Sequence, residues 1–180
     1  MQPKGYSYLR NNVKNSNNDS VSTFIFLSMV EIIEYQDQYA GDFKKINLEW
    51  LNKFDLTEEP DLLMLNKPKE TILEPGGAIF LAKSKEEIIG SAALISAHDG
   101  VYELAKMTVV PSWRGRGVSK LLLEKCLERA NFLKAKKIVL FSHHKLLEAL
   151  QLYTNYGFVH VAVTDSPFAT ADIKMERLLP

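Results

Sequence analysis

The stretch that decides the fold is Val109-Val110-Pro111-Ser112-Trp113-Arg114-Gly115-Arg116-Gly117-Val118-Ser119-Lys120. It follows an apolar, β-branched run and precedes a run with helical apolar spacing, so it joins a strand to a helix. Backbone N–H groups at a helix start favour an anion, and glycines let a ligand approach the main chain. Arg114, Arg116 and Lys120 add local positive charge. The segment predicts a phosphate site, and the alternative is a loop with solvated cations.

Two familiar phosphate motifs do not fit this loop. A P-loop needs a glycine, four residues and then Gly-Lys-Ser/Thr, and that spacing is absent. A dinucleotide fingerprint needs a third glycine where Lys120 stands, and an acidic residue near the end of the next strand. The chain reads Phe141-Ser142-His143-His144 there, so this motif fails as well.

Length and charge limit the classes of protein that the chain can represent. Its 180 residues predict one domain. The 22 Lys and Arg residues balance the 22 Asp and Glu residues, so no global positive field gathers nucleic acid or an anionic membrane. The single cysteine, Cys126, forms no internal disulfide and gives no zinc spacing, which favours a reducing, cytoplasmic location. No apolar run approaches the roughly 18 residues of a membrane span.

The first 28 residues differ from the rest of the chain. Asparagines crowd residues 11–18, and no apolar period is present, so residues 1–28 are expected to be a disordered extension and residues 29–180 the folded domain. Basic residues before the apolar run at 24–27 imitate a signal peptide. However, Asp19 precedes that run and no small-residue cleavage site follows it. Whether residues 1–28 belong to the native protein is left open, with Met29 as a candidate start.

The remaining pattern predicts an α+β domain with a mixed sheet. Three central apolar runs, the last two separated by Asp99-Gly100, predict an antiparallel meander. A strand, a crossover helix and another strand must run parallel, so strands 101–110 and 138–141 lie side by side. The predicted strands are 29–35, 78–82, 87–97, 101–110, 138–141, 157–163 and 171–178. A first helix is predicted to end near Phe54, and three further helices are predicted at 59–65, 117–133 and 146–156.

Two motifs in this order resemble the GCN5-related N-acetyltransferase (GNAT) superfamily. Its signature is Gln or Arg, two residues, Gly, one residue, then Gly or Ala, and Arg114-Gly115-Arg116-Gly117-Val118-Ser119 departs only in the small Ser119. A second family segment matches Ala149-Leu150-Gln151-Leu152-Tyr153-Thr154-Asn155-Tyr156-Gly157-Phe158. The resemblance covers about residues 29–178. It implies a twisted mixed sheet of about seven strands with about four helices and a splayed central parallel pair.

The resemblance also implies a cofactor site. In this family acetyl-coenzyme A is the co-substrate, its diphosphate rests on the arginine–glycine loop, and its pantetheine arm pairs with the preceding strand. The diphosphate site corresponds here to Arg114, Gly115, Arg116, Gly117, Val118, Ser119 and Lys120, and the pantetheine site to the backbone of Met107, Thr108 and Val109.

The implied reaction is direct attack of a primary amine on the thioester in a ternary complex. Tyr153 occupies the position of a general acid in similar enzymes, and an unperturbed phenol pKa of about 10 holds its proton at neutral pH. Its helical apolar stripe allows a plain core role instead. Glu103 is the candidate general base, with an exposed strand glutamate, another carboxylate or a water relay as alternatives.

The acceptor is expected to be a small-molecule or amino-acid-like amine. Its pocket is expected from residues 39–65 and 163–171. Many relatives carry an asparagine where this chain has Leu146, and His143 or Lys145 is a candidate to replace its polar contact. Because neighbouring residues of an extended segment point to opposite faces, His143 and His144 are not expected to share a metal, and no metal is expected.

Three alternatives stay open. The fold could retain acetyl-coenzyme A as a sensed ligand without transfer, or the acceptor could be a protein N-terminus or a lysine. A nucleic-acid-modifying transferase would need a basic face, which zero net charge disfavours. The sequence leaves open whether the chain forms a homodimer.

Overall fold

A computed structural model describes residues 29–180, and the expectation of a disordered extension at residues 1–28 lies outside them. The strands are β1 Glu31–Glu34, β2 Ala78–Ser84, β3 Glu87–Ser96, β4 Val101–Val109, β5 Lys137–Ser142, β6 Val159–Val161 and β7 Ile173–Leu178. The α-helices are α1 Ala40–Lys53, α2 Glu59–Asn66, α3 Val118–Phe132 and α4 Leu147–Asn155. Short 3-10 turns cover Asp37–Tyr39 and Pro111–Trp113, and a π-helical turn covers Lys69–Leu73.

The strands form one mixed sheet in the order β1-β2-β3-β4-β5-β7-β6. The predicted meander is confirmed as β2, β3 and β4, and the predicted parallel pair as β4 and β5. At the Asp99-Gly100 turn both residues have positive φ, 58° and 80°, as a tight hairpin between twisted strands requires. The α+β fold with a seven-stranded sheet is therefore confirmed. The insertion of β7 between β5 and β6 was not predicted.

Alternating side chains build a core on each face of the sheet. In β2, Phe80 and Ala82 pack in the cluster that contains α3, whereas Ile79 and Leu81 pack in the cluster that contains α1. This period of two covers both sheet faces with helices. Within residues 29–180, no helix has the length and apolarity to cross a membrane.

The central parallel strands separate soon after they meet. β4 and β5 pair only through Val101–Glu103 and Lys137–Val139. Beyond Glu103, no strand of the described chain pairs with β4 on its β5 side, so backbone groups there are left for another partner. The expected splay of this pair is thus present, and it opens a cleft at the middle of the sheet.

An irregularity in β4 shapes the wall of that cleft. Ala105 pairs with Ala93 and Thr108 with Ser91, so β4 has one residue more than β3 between these pairs. Lys106 lies in this bulge with φ 51°. A bulge bends a strand and redirects its side chains, and Lys106 and Met107 are the residues affected here.

Candidate active site

Two adjoining cavities occupy the cleft. The larger, about 550 Å³, lies beside the end of β4 and the start of α3. The smaller, about 130 Å³, lies between β4, β5 and the first helices. Trp50, Met107, Leu146, Ala149 and Tyr153 line both cavities, so the two meet there.

The larger cavity brings together most residues expected to bind the cofactor. Seven of them line it: Met107, Thr108, Val109, Arg114, Gly115, Val118 and Ser119. Arg116, Gly117 and Lys120 belong to the same loop and first helical turn but do not line the cavity. The opposite wall comes from α1 and α4, through residues such as Trp50, Leu147 and Leu152.

The glycines give the loop its shape. Gly115 has φ 71° and Gly117 has φ 85°, a region that side chains rarely adopt. Gly117 is the N-cap of α3 and offers no side chain to cap it. Lys120 N–H bonds the Gly117 carbonyl at 3.0 Å, whereas the preceding N–H groups of the first turn have no intrahelical acceptor. The loop therefore has the donor set that a phosphate group needs.

The two loop arginines have defined positions. The Arg114 side chain donates from Nε to the Val109 carbonyl at 2.9 Å, which ties the loop to the end of β4. The Arg116 guanidinium lies over the Trp113 ring at 5.2 Å from its centroid. Both contacts fix the cations close to the N-terminus of α3.

Both segments expected to hold the acceptor line the smaller cavity, together with β4, β5 and α4. Helix α1 and the segment after it contribute Asn47, Trp50, Leu51 and Leu56, α2 contributes Asp61, and the loop before β7 contributes Phe168, Thr170 and Ala171. Glu58 joins these segments, because its carboxylate accepts hydrogen bonds from the Ala169 N–H at 2.7 Å and the Thr170 N–H at 2.9 Å.

Glu103 lines the smaller cavity from β4. Among residues 29–180, its carboxylate has neither a hydrogen bond nor a salt bridge. Burial raises the pKa of the Glu103 carboxyl to about 7; the Lys106 cation opposes this rise and the Asp61 anion adds to it. A carboxyl with this pKa can accept a proton near neutral pH.

Lys106 and Asp61 form a buried ion pair in the same wall. Their Nζ and Oδ1 atoms are 2.5 Å apart, and each side chain is only 5% exposed. The Lys106 carbonyl accepts the Ser91 hydroxyl at 2.8 Å, and the Ser91 oxygen accepts Asn47 Nδ2–H at 2.9 Å. Asn47 of α1, through Ser91, and Asp61 of α2 thereby hold the β4 bulge in place. Asn47 and Asp61 lie in the segment 39–65 that was expected to form the acceptor pocket, whereas Ser91 and Lys106 were not predicted to belong to the site.

Tyr153 lies at the junction of the two cavities. It is 8% exposed, and its hydroxyl donates to the Met107 sulfur at 3.9 Å, a long and weak contact. Burial raises the pKa of Tyr153, so the phenol keeps its proton at neutral pH. Tyr153 packs in the core and also lines both cavities, so its position is compatible with the core role and with the general-acid role expected from the sequence.

The expectation that His143 and His144 point to opposite faces is wrong. Their rings stack with centroids 4.3 Å apart. The chain leaves β5 at Ser142 and turns, with Leu146 N–H bonding the His143 carbonyl at 2.9 Å, so strand alternation does not apply. His144 also pairs with Asp172. The donor atoms of these three residues lie within 4.8 Å of one another and could hold a metal ion.

His143 and Lys145, the candidates to replace the polar contact expected at Leu146, line different cavities. His143 lines the smaller cavity, Lys145 the larger one, and Leu146 both. The structure thus puts one candidate substitute on each side of Leu146. Both remain candidates.

Sequence comparisons agree with this geometry. The acetyltransferase (GNAT) domain family matches residues 75–160. N-acetylaspartate synthetase of Xenopus tropicalis is 34% identical over 93 residues, which is 51% of this chain and 34% of that protein. An uncharacterized N-acetyltransferase of Escherichia coli is 32% identical over 49% of this chain and 54% of its own. The matches thus span between a third and about half of these two relatives.

Solved structures share the whole fold. An acetyltransferase of the GNAT family from Staphylococcus aureus is 25% identical, with a TM-score of 0.78 over 84% of this chain and 99% of its own. An N-acetyltransferase from Thermoplasma acidophilum, solved in complex with coenzyme A, is 15% identical with a TM-score of 0.65 over 83% of this chain and 99% of its own. With both motifs, the splayed sheet and the domain match, the chain belongs to the GNAT superfamily of acetyltransferases.

Proposed function

We propose that the protein transfers an acetyl group from acetyl-coenzyme A to a primary amine of a small molecule. The observation that carries this proposal is the Glu103 carboxylate, which lines the smaller cavity without a hydrogen-bond or salt-bridge partner in residues 29–180. Ionising a partly buried carboxyl with a pKa of about 7 costs free energy unless a cation balances the charge, and such groups occur often at functional sites. An alkylammonium, with a pKa near 10, supplies the missing cation and must lose a proton before it attacks.

The larger cavity fits the acyl donor. The first-turn N–H groups of α3 and the nearby arginines suit a diphosphate, and the unpaired edge of β4 suits the amides of a pantetheine arm. Acetyl-coenzyme A would then enter along β4 with its thioester near Met107 and Tyr153, where the cavities meet. The donor and acceptor would approach from opposite sides of this junction.

The proposed proton transfers balance. Glu103 accepts one proton from the ammonium, directly or through water, and the neutral nitrogen forms a C–N bond with the acetyl carbon. The C–S bond breaks, and the Tyr153 hydroxyl supplies a proton to the departing thiolate, whose conjugate acid has a pKa near 8.5. Tyr153 recovers its proton from solvent or from the nitrogen of the product.

A thiol-release assay over a panel of amines, polyamines, amino acids and peptides tests the proposal. The N-acetylaspartate synthetase relative makes amino acids a necessary part of this panel. We expect acetylation of at least one small amine together with calorimetric binding of acetyl-coenzyme A. Binding without any acceptor-dependent thiol release would favour a sensing module, and the absence of binding heat would exclude both.

A further inference from the structure

The charges around the smaller cavity restrict the acceptor. Asp61, Glu103 and Lys106 line it from α2 and β4, and two further ionisable side chains, His143 after β5 and Tyr153 on α4, line it from the other side of the cleft. Asp61 and Lys106 neutralise each other in a pair with 5% exposure on both sides, which leaves Glu103 as the uncompensated group. With Glu103 ionised, the part of the wall formed by α2 and β4 carries one net negative charge, which an alkylammonium would balance.

The Lys106 ammonium already has partners within the protein. Its ammonium pairs with Asp61 and lies over the Phe168 ring, 5.2 Å from the centroid. Asp61 is itself fixed, because its second oxygen accepts the Glu58 N–H at 3.1 Å. An acceptor carboxylate that approached Lys106 would therefore meet the Asp61 and Glu103 carboxylates at close range, and like charges in a partly buried site repel strongly.

The remainder of the wall is largely apolar. It includes the side chains of Trp50, Leu51, Leu56, Leu104, Phe141 and Phe168. Such a surface favours a hydrocarbon or aromatic group next to the reacting nitrogen.

We propose that the acceptor is a primary monoamine on an apolar or aromatic skeleton, without a carboxylate next to the amine, and that Asp61 excludes amino acids by neutralising Lys106. This inference rests on the proposed function and deepens it. It sets this chain apart from its relative named N-acetylaspartate synthetase, whose product carries two carboxylates. Asp61 is accordingly a specificity-determining residue.

Matched acceptor pairs test this inference, because each pair differs only by a carboxylate. We would measure kcat/KM for tyramine against tyrosine and for 3-methylbutylamine against leucine, with aspartate as the most acidic acceptor. The amine of each pair should be favoured by about tenfold or more. Amino acids that react as well as their decarboxylated partners, or a preference for aspartate, would overturn the inference.

Two variants assign the preference to Asp61. Asp61→Asn leaves the Lys106 cation without its carboxylate, so the ratio of amine to amino acid should fall by about tenfold. The double variant with Asp61→Asn and Lys106→Met removes both charges and should keep the amine preference. An unchanged ratio in the single variant, checked to be folded by its binding of coenzyme A, would contradict the role of Asp61.

Direct binding separates this inference from the proposed function. Calorimetry of each acceptor pair with coenzyme A-saturated protein needs no turnover. Tighter binding of the amine supports the inference even if no thiol is released, a result that would overturn only the transfer. Equal binding of both partners, or no binding of either, would overturn the inference.

Discussion

Tyr153 on α4 and Met107 on β4 meet where the two cavities join, with the phenol oxygen 3.9 Å from the methionine sulfur. A sulfur is a weak acceptor, so the phenol proton is held loosely. The contact puts a protonated hydroxyl between the region that suits the acyl donor and the region that suits the amine.

Tyr153→Phe should lower kcat by about ten- to a thousandfold, because the thiolate would leave without a positioned acid. Binding of coenzyme A, measured by calorimetry, should change little. Tyr156→Phe is the matched control, since it also removes a phenol but one that donates to Glu124 at 2.5 Å. An unchanged rate in Tyr153→Phe would leave Tyr153 as a core residue only.

Glu103 should control the pH dependence of the reaction. Its carboxyl has a pKa of about 7, so kcat/KM should rise as the pH increases through 7 and the base loses its proton. Glu103→Gln should lose this limb of the profile and most of the activity. A profile with the same limb in Glu103→Gln would assign the base to another group.

The same residue should affect stability with a defined sign. Its folded-state pKa is raised from 4.5 to about 7, so the folded protein binds more protons than the unfolded chain within this interval. The free energy of unfolding contributed by Glu103 is thus fully present below pH 4.5 and falls as the pH rises to 7, by at most about 3 kcal/mol. Denaturant unfolding should therefore show Glu103→Gln gaining stability relative to wild type between pH 5 and pH 8. A constant difference would contradict the desolvation of this carboxyl.

The loop cations should matter for binding and little for folding. Replacing both Arg114 and Arg116 by Ala should weaken acetyl-coenzyme A binding by calorimetry, with a small change in melting temperature, since loop cations at the surface contribute little to stability. Lys125→Ala is the control, because Lys125 lies on α3, outside the loop, and pairs with Glu128. Equal affinity in the double variant would mean that the loop is not the phosphate site.

Ser91→Ala should disturb the β4 bulge from the neighbouring strand β3. It removes the hydroxyl that bonds the Lys106 carbonyl and leaves Asn47 Nδ2 with its contact to the Phe43 carbonyl alone. We expect a loss of about 1–3 kcal/mol in the free energy of unfolding, together with a lower kcat at unchanged affinity for coenzyme A. A stability loss without any kinetic change would make the network purely structural.

Transfer should not need a metal, because the proposed reaction assigns both proton transfers to Glu103 and Tyr153. Treatment with a chelator should leave the rate unchanged. The trio of His143, His144 and Asp172 makes this test informative. A rate lost on chelation and restored by zinc, but not in His144→Ala, would show that these residues hold a required ion.

Most elements of the fold could be predicted because their signals are local. The apolar alternation of β2 to β4, the Asp99-Gly100 turn and the helical stripe of α3 each span only a few residues. The loop motif and Tyr153 also depend on short spacing. The placement of His143 and His144 was predicted wrongly, since the end of β5 and the following turn are set by contacts with the loop at Asp172.

The contacts between distant segments that shape the smaller cavity could not be predicted in this way. Asp61 and Lys106 are 45 positions apart, and Asn47 and Ser91 are 44 apart. The positive φ of Lys106 could not be predicted from the sequence, because lysine rarely adopts this conformation. The one hint of this site in the sequence was the charge of Lys106, which lies between apolar residues of β4.

The sequence alone determined the class of sheet, the order of the elements, the glycine loop and the family resemblance, because each of these follows from patterns along a few turns of chain. Only the tertiary structure decided that the Asp61 carboxylate neutralises Lys106, that Glu103 has no ionic partner within residues 29–180 and that the two cavities meet at Tyr153. The physical reason is that charge balance and burial depend on which distant segments pack together, and this packing brings α1, α2 and the loop before β7 against the bulge of β4.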